Sequence, residues 1–443
     1  MPSVFALRLG LLATLACTQL TSPAWCADLA PRPIQPPLQR LVEQMTPQLR
    51  SVYQELHAHP ELGFQETRTA ATLAAAMRKL GFEVTEGVGK TGLVALYRNG
   101  TGPTVMVRTE MDALPMEEKT GLPYASKAKA LFNGKDSFVA HSCGHDMHMA
   151  SWLGTAQALL SLKEQWKGTL MFVAQPAEES SGGAKAMLAD GLFEKFGKPH
   201  YAFALHTGSM AYGTVGYVAG AATSNSDGLN ITFHGRGGHG SMPAQSIDPV
   251  LMAARFVVDV QSVVSREKEP AEFGVVTVGA FNAGSAGNII PDQARVLGTI
   301  RSYQDDVRSK LKEGVERTAR ATAAMAGAPA PEIKLTRGGD AVINDPALTQ
   351  RTVQLFKTVL GEQNVVALSP SSASEDFSAF VNQGVPSLFY VLGISDPQRV
   401  AESKQAGGKP LPFNHSPFYA PVPEPTLQTG ITTMTLAVMN VMQ

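Results

Sequence analysis

The chain has 443 residues, of which 44% are hydrophobic and 17% charged, and its formal net charge is -1. This length exceeds what a single hydrophobic core usually serves, so two domains are expected. The balanced charge argues against a nucleic-acid partner, because that binding needs a clustered basic surface. A small molecule is therefore the expected partner.

Residues 1–27 predict a secretory signal peptide, because Arg8 precedes an apolar run at 9–17 and small residues crowd 22–27. A retained membrane anchor is the alternative, but the run is shorter than the ~20 residues that a span needs. We therefore expect export to the periplasm or the medium, with no span in the mature chain. Signal removal leaves Cys143 as the lone cysteine. Such a thiol in an oxidising compartment is expected to be buried, reactive or metal-bound.

The first half of the chain alternates helices and strands. A helix is predicted over 46–59, with Thr46 as its N-cap and Pro60 as its stop. The further predicted helices are 66–80, 147–162 and 183–190, and the predicted strands are 91–97, 104–109, 169–174 and 201–205. This alternation predicts an α/β fold with a mainly parallel sheet covered on both faces.

The pattern changes after residue 222, where strands with alternating polarity are separated by two long helices. The predicted strands are 228–234, 273–280 and 293–301, and the helices are 247–265 and 304–326. The α/β pattern resumes near residue 340 and ends in a helix over 424–441. We predict a catalytic domain formed by 28–222 and 339–443, interrupted by a smaller α+β lid domain over 223–338.

Candidate ligand residues follow several of the predicted strands. In an open parallel sheet, ligands gather beyond the carboxyl ends of the strands. The loop before the helix at 147 is expected at the same edge. The candidates are Glu110 and Asp112 after strand 104–109, Glu178 and Glu179 after 169–174, His206 after 201–205, and Cys143 and His145 in that loop.

These side chains suit a divalent metal ion, because thiolate, imidazole and carboxylate ligands favour Zn²⁺ and, less selectively, Mn²⁺ or Co²⁺. Gly144 lets its two neighbours converge, since it has no Cβ. Asp112 and Asp146 are expected to orient the imidazoles. Of Glu178 and Glu179, one can bind metal while the other takes a proton from an activated water molecule.

The remaining histidines have structural interpretations as well as functional ones. His415 lies in a turn-rich loop that is compatible with simple burial, and His239 lies in a glycine-rich loop that matches no phosphate-binding fingerprint. His57 and His59 fall at the end of the first predicted helix. We interpret these two as structural.

Several ordered motifs resemble the metal-dependent aminoacylase/carboxypeptidase amidohydrolases, the group that includes hippurate hydrolase and indole-acetyl-amino-acid hydrolases. The resemblance covers nearly all of the presumed mature chain. The motifs are Leu56-His-Ala-His-Pro-Glu-Leu-Gly63, Met111-Asp-Ala-Leu-Pro115, His141-Ser-Cys-Gly-His-Asp146, Gln175-Pro-Ala-Glu-Glu179, Gly237-Gly-His-Gly240, Asn288-Ile-Ile-Pro291, Ser374-Glu-Asp-Phe377 and Asn414-His-Ser-Pro417.

The resemblance implies two divalent ions per subunit, Zn²⁺ first and Mn²⁺ or Co²⁺ as alternatives, and hydrolysis of the amide bond in N-acyl amino acids or C-terminal amino-acid conjugates. It also implies a homodimer formed through the inserted domain. Glu178 matches the catalytic base. The implied ligands are Cys143, His145, Glu179, His206 and His415, with His239 and Asn288 reaching the substrate, often in the partner subunit, and Arg301 holding its carboxylate.

One departure concerns Glu110, which stands where most of these relatives have aspartate. Two other functions compete with the metal-dependent amidohydrolase. A cysteine hydrolase would use Cys143 as the nucleophile, but it leaves Glu178 and Glu179 without a role. A periplasmic binding protein for amino-acid conjugates would need no catalytic base.

Overall fold

A computed structural model describes residues 36–180 and 182–443. The predicted signal peptide over 1–27 lies outside the described residues, so it stays a prediction. Within the described ranges, no helix is both long enough and apolar enough to cross a membrane.

The first helix starts earlier than predicted. Helix α1 spans Pro36–Ala58, and Thr46 lies inside it, where its hydroxyl donates to the carbonyl of Val42 at 2.7 Å. Thr46 is therefore not an N-cap. The proline-rich segment begins the helix because a first turn leaves its backbone N–H groups unpaired, so proline there loses no hydrogen bond. The helix ends just before Pro60, as predicted.

Up to residue 221 every predicted helix and strand is present, and five strands in a row separate the second and third helices. The elements are α2 (Thr67–Lys79), β1 (Glu83–Val88), β2 (Gly92–Asn99), β3 (Thr104–Glu110), β4 (Lys129–Phe132), β5 (Lys135–Phe138), α3 (His145–Ser161), β6 (Gly168–Gln175), α4 (Gly183–Ala189), α5 (Leu192–Phe196), β7 (Tyr201–Ala211), β8 (Val215–Tyr217) and β9 (Gly220–Ala221).

The middle of the chain forms a four-stranded antiparallel sheet in the order β12-β14-β10-β15, with helices packed against it. The predicted helix over 247–265 is two helices that meet at Val260. The elements are β10 (Asp227–His234), β11 (Gly238–His239), α6 (Pro249–Asp259), α7 (Gln261–Arg266), β12 (Gly274–Ala283), β13 (Ile289–Ile290), β14 (Gln293–Ser302), α8 (Asp305–Met325) and β15 (Glu332–Arg337).

The last part returns to the first sheet. Its elements are β16 (Ile343–Asn344), α9 (Pro346–Leu360), β17 (Val365–Ala367), α10 (Ser378–Val381), β18 (Ser387–Ser395), α11 (Pro397–Ser403) and α12 (Pro423–Met442). Strand β16 pairs antiparallel with β9, so the two chain crossings into and out of the middle unit lie side by side.

The large sheet has eight strands in the order β1-β2-β6-β3-β7-β18-β8-β17. Its central strands β6, β3, β7 and β18 are parallel, and β1, β2 and β8 add antiparallel pairings toward the edges. Alternate residues of the central strands face opposite ways: Phe172 packs with α1, α3 and α12, while Val173 packs with α4 and α10. The fold is thus α/β with an inserted smaller α+β unit.

A buried arginine joins both crossings. On α8, Nε of Arg308 donates to Oδ2 of Asp227 at 2.8 Å, and its guanidinium also bonds the carboxylate of Asp340. Asn382 of the large unit donates to the other oxygen of Asp340 at 2.7 Å. This network fixes the inserted unit to the large one at the place where the chain passes between them.

Candidate metal centre

Four carboxylate side chains lie at or just beyond the carboxyl ends of two neighbouring parallel strands. β3 ends at Glu110 and Asp112 follows two residues later. β6 ends just before the loop that holds Glu178 and Glu179. Since β3 and β6 pair in parallel, these residues share one edge of the sheet.

The loop before α3 brings Cys143 to the same edge, and His145 is the first residue of α3, which begins two residues earlier than predicted. Gly144 between them has φ +86°, a left-handed conformation that L residues rarely adopt. A Cβ at this position would collide with Oγ1 of Thr207. Glycine is therefore required both by the backbone and by the close approach of β7.

His206 lies within β7 rather than after it, which corrects the predicted strand end at residue 205. The strand continues because β18 pairs with it as far as Ala211. Nδ1 of His206 donates to the carbonyl of Thr207 at 2.9 Å, which leaves Nε2 facing the site, 3.4 Å from Sγ of Cys143.

His415 reaches the site from the other end of the chain. Its φ is +68°, and its backbone N–H donates to the carbonyl of Ser142 at 2.8 Å. This contact places Nε2 of His415 at 3.3 Å from Oε2 of Glu179. The turn-rich loop thus directs the imidazole ring of His415 at the site. The sequence pattern alone did not decide between this position and simple burial.

The five residues that the resemblance implied as ligands fall into three overlapping groups. Within each group, one possible metal-binding atom from every residue lies within 4.8 Å of the others. The groups are Cys143 with Glu179 and His415, His145 with Glu178 and Glu179, and His145 and His206 with Glu110 and His148.

Two atoms of the implied ligands are buried and have no hydrogen-bond partner among the described residues: Nε2 of His145 and Oε1 of Glu179. Nδ1 of His145 donates to the carbonyl of Asp112 at 2.7 Å, which leaves Nε2 with its lone pair. Buried polar atoms are normally paired, so these two call for a ligand. Together with a thiol, a second imidazole and a carboxylate, they fit a divalent cation.

The two aspartates predicted to orient imidazoles differ in their contacts. Asp112 accepts the backbone N–H of Glu179 at 2.9 Å and lies 3.5 Å from Nδ1 of His145. Asp146 instead contacts Nδ1 of His57 at 2.6 Å. The reason is that Asp146, in the first turn of α3, faces α1, so its imidazole partner is His57, which was predicted to be structural.

Glu178 and Glu179 have opposite electrostatic surroundings. Burial of Glu178, followed by the charges of Glu375 and Asp376, raises its pKa well above the usual range. Burial also raises the pKa of Glu179, but the hydrogen bond with His415 and the charges of His145 and His415 together outweigh burial, and the pKa falls. Neighbouring carboxyls with divergent pKa values are typical of separate acid–base and ligand roles.

A buried ion-pair network that was not predicted from the sequence supports this edge of the sheet. Arg108 of β3 donates from Nη2 to Oε1 of Glu375 at 2.6 Å and to Oδ1 of Asp376 at 3.2 Å, and it also pairs with Glu110. Its Nε donates to the side chain of Gln175 at 2.9 Å. An arginine directly after the apolar run 105–107 of this strand was the available signal, because such a charge is buried only when paired.

Glu110, the departure from the usual aspartate, also bonds His148. Nδ1 of His148 donates to Oε2 of Glu110 at 2.9 Å, and its Nε2 accepts the backbone N–H of Thr207 at 2.8 Å. Oγ1 of Thr207 in turn donates to the carbonyl of Cys143 at 3.1 Å. Glu110 thereby supports the ligand loop through two other side chains.

A cavity of about 450 Å³ is lined by residues of this centre, among them Cys143, Glu178, Glu179, His206 and His415. Arg301 of β14 lines it and donates to the carbonyl of Ser372 at 3.2 Å. His239 and Asn288 do not line it, as far as the described residues show. They lie beside each other on the inserted unit, where the N–H of Gly240 donates to the carbonyl of Asn288 at 2.8 Å.

Cys143 does not have the surroundings of an activated nucleophile. Burial, followed by the charges of Glu179 and Glu178, raises the pKa of its thiol well above the usual range. Nucleophilic cysteines need the opposite shift. A nearby cation reverses this balance, since metal-bound thiols are deprotonated.

Comparison with known proteins agrees with this chemistry. The family described as Peptidase family M20/M25/M40 matches residues 106–406. Hippurate hydrolase of Campylobacter jejuni is 38% identical over 338 residues, 75% of this chain and 85% of that protein. Thermostable carboxypeptidase 2 of Saccharolobus solfataricus is 34% identical over 358 residues, 80% of this chain and 87% of that protein.

Among solved structures, a dinuclear metal-binding peptidase of the M20 family from Bacillus subtilis has a TM-score of 0.72 and 27% identity. The structural match covers 90% of this chain and 99% of the Bacillus subtilis chain. The family match spans more than half of the 443 residues and includes the loop of Cys143, both glutamates and His206. The chain belongs to peptidase family M20/M25/M40 and is a metal-dependent hydrolase.

Proposed function

We propose that the chain hydrolyses the amide bond between an acyl group and an amino acid, as in N-acyl amino acids or C-terminal amino-acid conjugates. Two divalent ions would be held by the five ligand residues Cys143, His145, Glu179, His206 and His415. Zn²⁺ suits this mixture of thiolate, imidazole and carboxylate best, and Mn²⁺ or Co²⁺ are the alternatives.

One observation carries the proposal. His145 and Glu179, each of which has an unpaired buried atom, lie in the same group as Glu178. Ligands and a candidate base therefore meet within 4.8 Å. An amide-binding protein without catalysis would have no use for a buried carboxyl beside its metal ligands.

The ions, when bound, would polarise the substrate carbonyl and make a water molecule more acidic. Glu178 takes a proton from that water as its oxygen forms a bond to the acyl carbon. Glu178 then gives the proton to the amide nitrogen as the carbon–nitrogen bond breaks, which yields a carboxylic acid and an amine. His239 donates a hydrogen bond to the developing oxyanion, a contribution of ~3 kcal/mol.

The cavity lining supports a substrate with one anionic and one apolar end. Arg301 keeps guanidinium donors beyond the one that bonds Ser372, and these suit a carboxylate. Tyr217, Leu368 and Phe389 line the same cavity with apolar surface. We assign the amino-acid carboxylate to Arg301 and an apolar acyl group to these side chains. The names of the relatives above, hippurate hydrolase and carboxypeptidase, agree with this substrate class.

The position of His239 and Asn288 outside the cavity of their own chain supports a homodimer. In such a dimer the inserted unit of one subunit would bring these residues to the cavity of the other. Residues 1–27 carry the proposed export signal, so the mature enzyme would work in the periplasm or the medium.

The test uses hippurate and its C-terminal amide as a matched pair, together with a few N-acetyl amino acids, on the purified metal-loaded protein. We expect release of benzoate from hippurate, abolition by a chelator and recovery with Zn²⁺ or Mn²⁺. Arg301→Met should raise KM for hippurate roughly ten- to a hundredfold, since a hydrogen bond to a charged group contributes about 1.5–3 kcal/mol. It should leave KM for the amide unchanged.

Activity that survives full chelation would overturn the proposed chemistry. Equal effects of Arg301→Met on hippurate and on its amide would overturn the assignment of the carboxylate. A panel in which no N-acyl amino acid or peptide-like substrate is cleaved by the loaded enzyme would overturn the substrate class.

A further inference from the structure

His57, at the end of α1, is almost fully buried, with 1% of its surface exposed. Both of its ring nitrogens contact carboxylates: Nδ1 lies 2.6 Å from Oδ2 of Asp146, and Nε2 lies 3.0 Å from Oε1 of Glu118. Because a carboxylate only accepts, both nitrogens donate at once only in the charged imidazolium.

The surroundings favour that charged form. Burial lowers the pKa of His57, but the hydrogen bonds with Asp146 and Glu118 outweigh burial and raise it to about 10. The rings of Tyr53 and Tyr124 pack against the imidazole, with centroids at 5.6 Å and 5.2 Å. His57 is thus a cation enclosed between two acids.

The first of these acids fixes the start of α3. Asp146 follows His145 directly, and its Oδ1 accepts the backbone N–H of Met147 at 2.9 Å. The hydrogen bond with His57 occupies the other oxygen of the same carboxylate. The helical turn from which the ligand His145 projects is therefore held by α1.

The second acid leads to the loop that carries His415. Oε2 of Glu118 accepts the backbone N–H of Ser126 at 2.6 Å, which closes the loop between them. The neighbouring residue Lys119 donates its backbone N–H to the carbonyl of Pro417 at 2.7 Å. Pro417 stands two residues after His415, so this chain of contacts ends at a second ligand.

We propose that His57 is a positioning residue for the metal centre, which sets the spacing between the ligands His145 and His415 through Asp146 and Glu118. The inference rests on the metal centre of the proposed function. It does not depend on the substrate.

The test compares His57→Gln with His59→Gln. His59 lies two residues further along, its side chain is 49% exposed, and its Nδ1 bonds only within its own segment. Dissociation constants for Zn²⁺ and Co²⁺ are measured on metal-free protein by competition with a chromogenic chelator, without substrate. His57→Gln should weaken metal binding roughly ten- to a hundredfold, as removal of outer support does in other metal sites. His59→Gln should stay within about twofold of the wild type on the same scale.

Circular dichroism of both metal-free variants shows whether each variant is folded and gives its unfolding temperature. If His57 had a merely structural role, His57→Gln would lower the unfolding temperature, but the folded variant would bind metal as tightly as the wild type. A folded His57→Gln variant that binds both ions like the wild type would overturn the proposal. If that variant does not fold, Glu118→Gln replaces it, since it keeps the contact of His57 with Asp146. It should weaken binding in the same direction, and unchanged binding overturns the proposal. A wild-type protein that binds neither ion contradicts the proposed function instead.

Discussion

Oε2 of Glu179 lies 3.3 Å from Nε2 of His415. Glu179 follows β6 in the first part of the large unit, and His415 lies in the last loop before α12. The inserted unit separates the two parts in sequence. The candidate metal centre is therefore complete only when both parts have joined the same sheet.

His415→Ala should cost the protein one of its two proposed ions, because this ring faces the carboxylate of Glu179 and no other histidine of the described chain lies in that group. Metal content after dialysis measures this directly. His59→Ala is the control, since that ring is half-exposed and away from the site. Equal metal content in His415→Ala and the wild type would remove His415 from the ligand set.

Gly144→Ala should impair metal binding and stability together. The left-handed backbone disfavours alanine by roughly 1–2 kcal/mol, and the added methyl group also collides with Thr207. Gly134→Ala is a matched control, because its φ is +77° and nothing lies within 4 Å of the added Cβ. In urea unfolding, the free energy of unfolding of both variants should fall by this backbone contribution. Only Gly144→Ala should lose more stability than that and also release metal. Identical losses would show that the contact with Thr207 is unimportant.

Arg108→Met should destabilise the protein by about 3–5 kcal/mol, because it leaves buried carboxylates without their cation. The carboxylates are Glu110, Glu375 and Asp376. Arg98→Met on β2 of the same sheet removes an ion pair whose side chains are 61% and 69% exposed, and such pairs contribute about 0–1 kcal/mol. Urea unfolding of the two variants gives the comparison. If the free energy of unfolding of Arg108→Met fell by less than about 1 kcal/mol, the stabilising role of this buried network would be contradicted.

Arg308→Met should loosen the junction between the two units. The guanidinium bonds Asp227 and Asp340 at the two chain crossings, so its removal leaves both acids without their buried partner. Limited proteolysis should then cut faster near residues 222–227 and 338–342. Arg317→Met on the same helix removes only an exposed pair with Glu267 and should be cut at the wild-type rate. Equal cleavage rates in the two variants would argue against a role at the junction.

The sequence predicted the order of helices and strands because polarity alternates with the period of each element, and β3, β6, α8 and α12 fall close to their predicted ranges. It failed where local and tertiary signals disagree. Pro36 and Pro37 begin a helix instead of preceding one, and β7 runs past His206 because β18 pairs with it. Pairing between distant strands leaves little trace in a local pattern.

For the site, Glu179 and His206 were predicted from their places at strand ends, and Cys143 and His145 from the loop before a helix, whereas His415 was implied only by the resemblance. The contacts behind these ligands were not predicted, because they join residues far apart in sequence: His57 with Asp146, and Arg108 with Glu375. Nothing near His57 in the chain distinguishes it from His59. Only packing shows that one ring is enclosed by two acids while the other faces solvent.

The most direct test of the central claim is the Glu178→Gln variant, assayed for metal content and for turnover of hippurate at saturating metal. Glutamine keeps the size of the side chain but cannot take a proton, and Glu178 is not among the five proposed ligands. We predict wild-type metal content with a fall in kcat of at least about 10²–10⁴-fold, the usual contribution of a general base. Turnover near the wild-type rate in the metal-loaded variant would contradict the account.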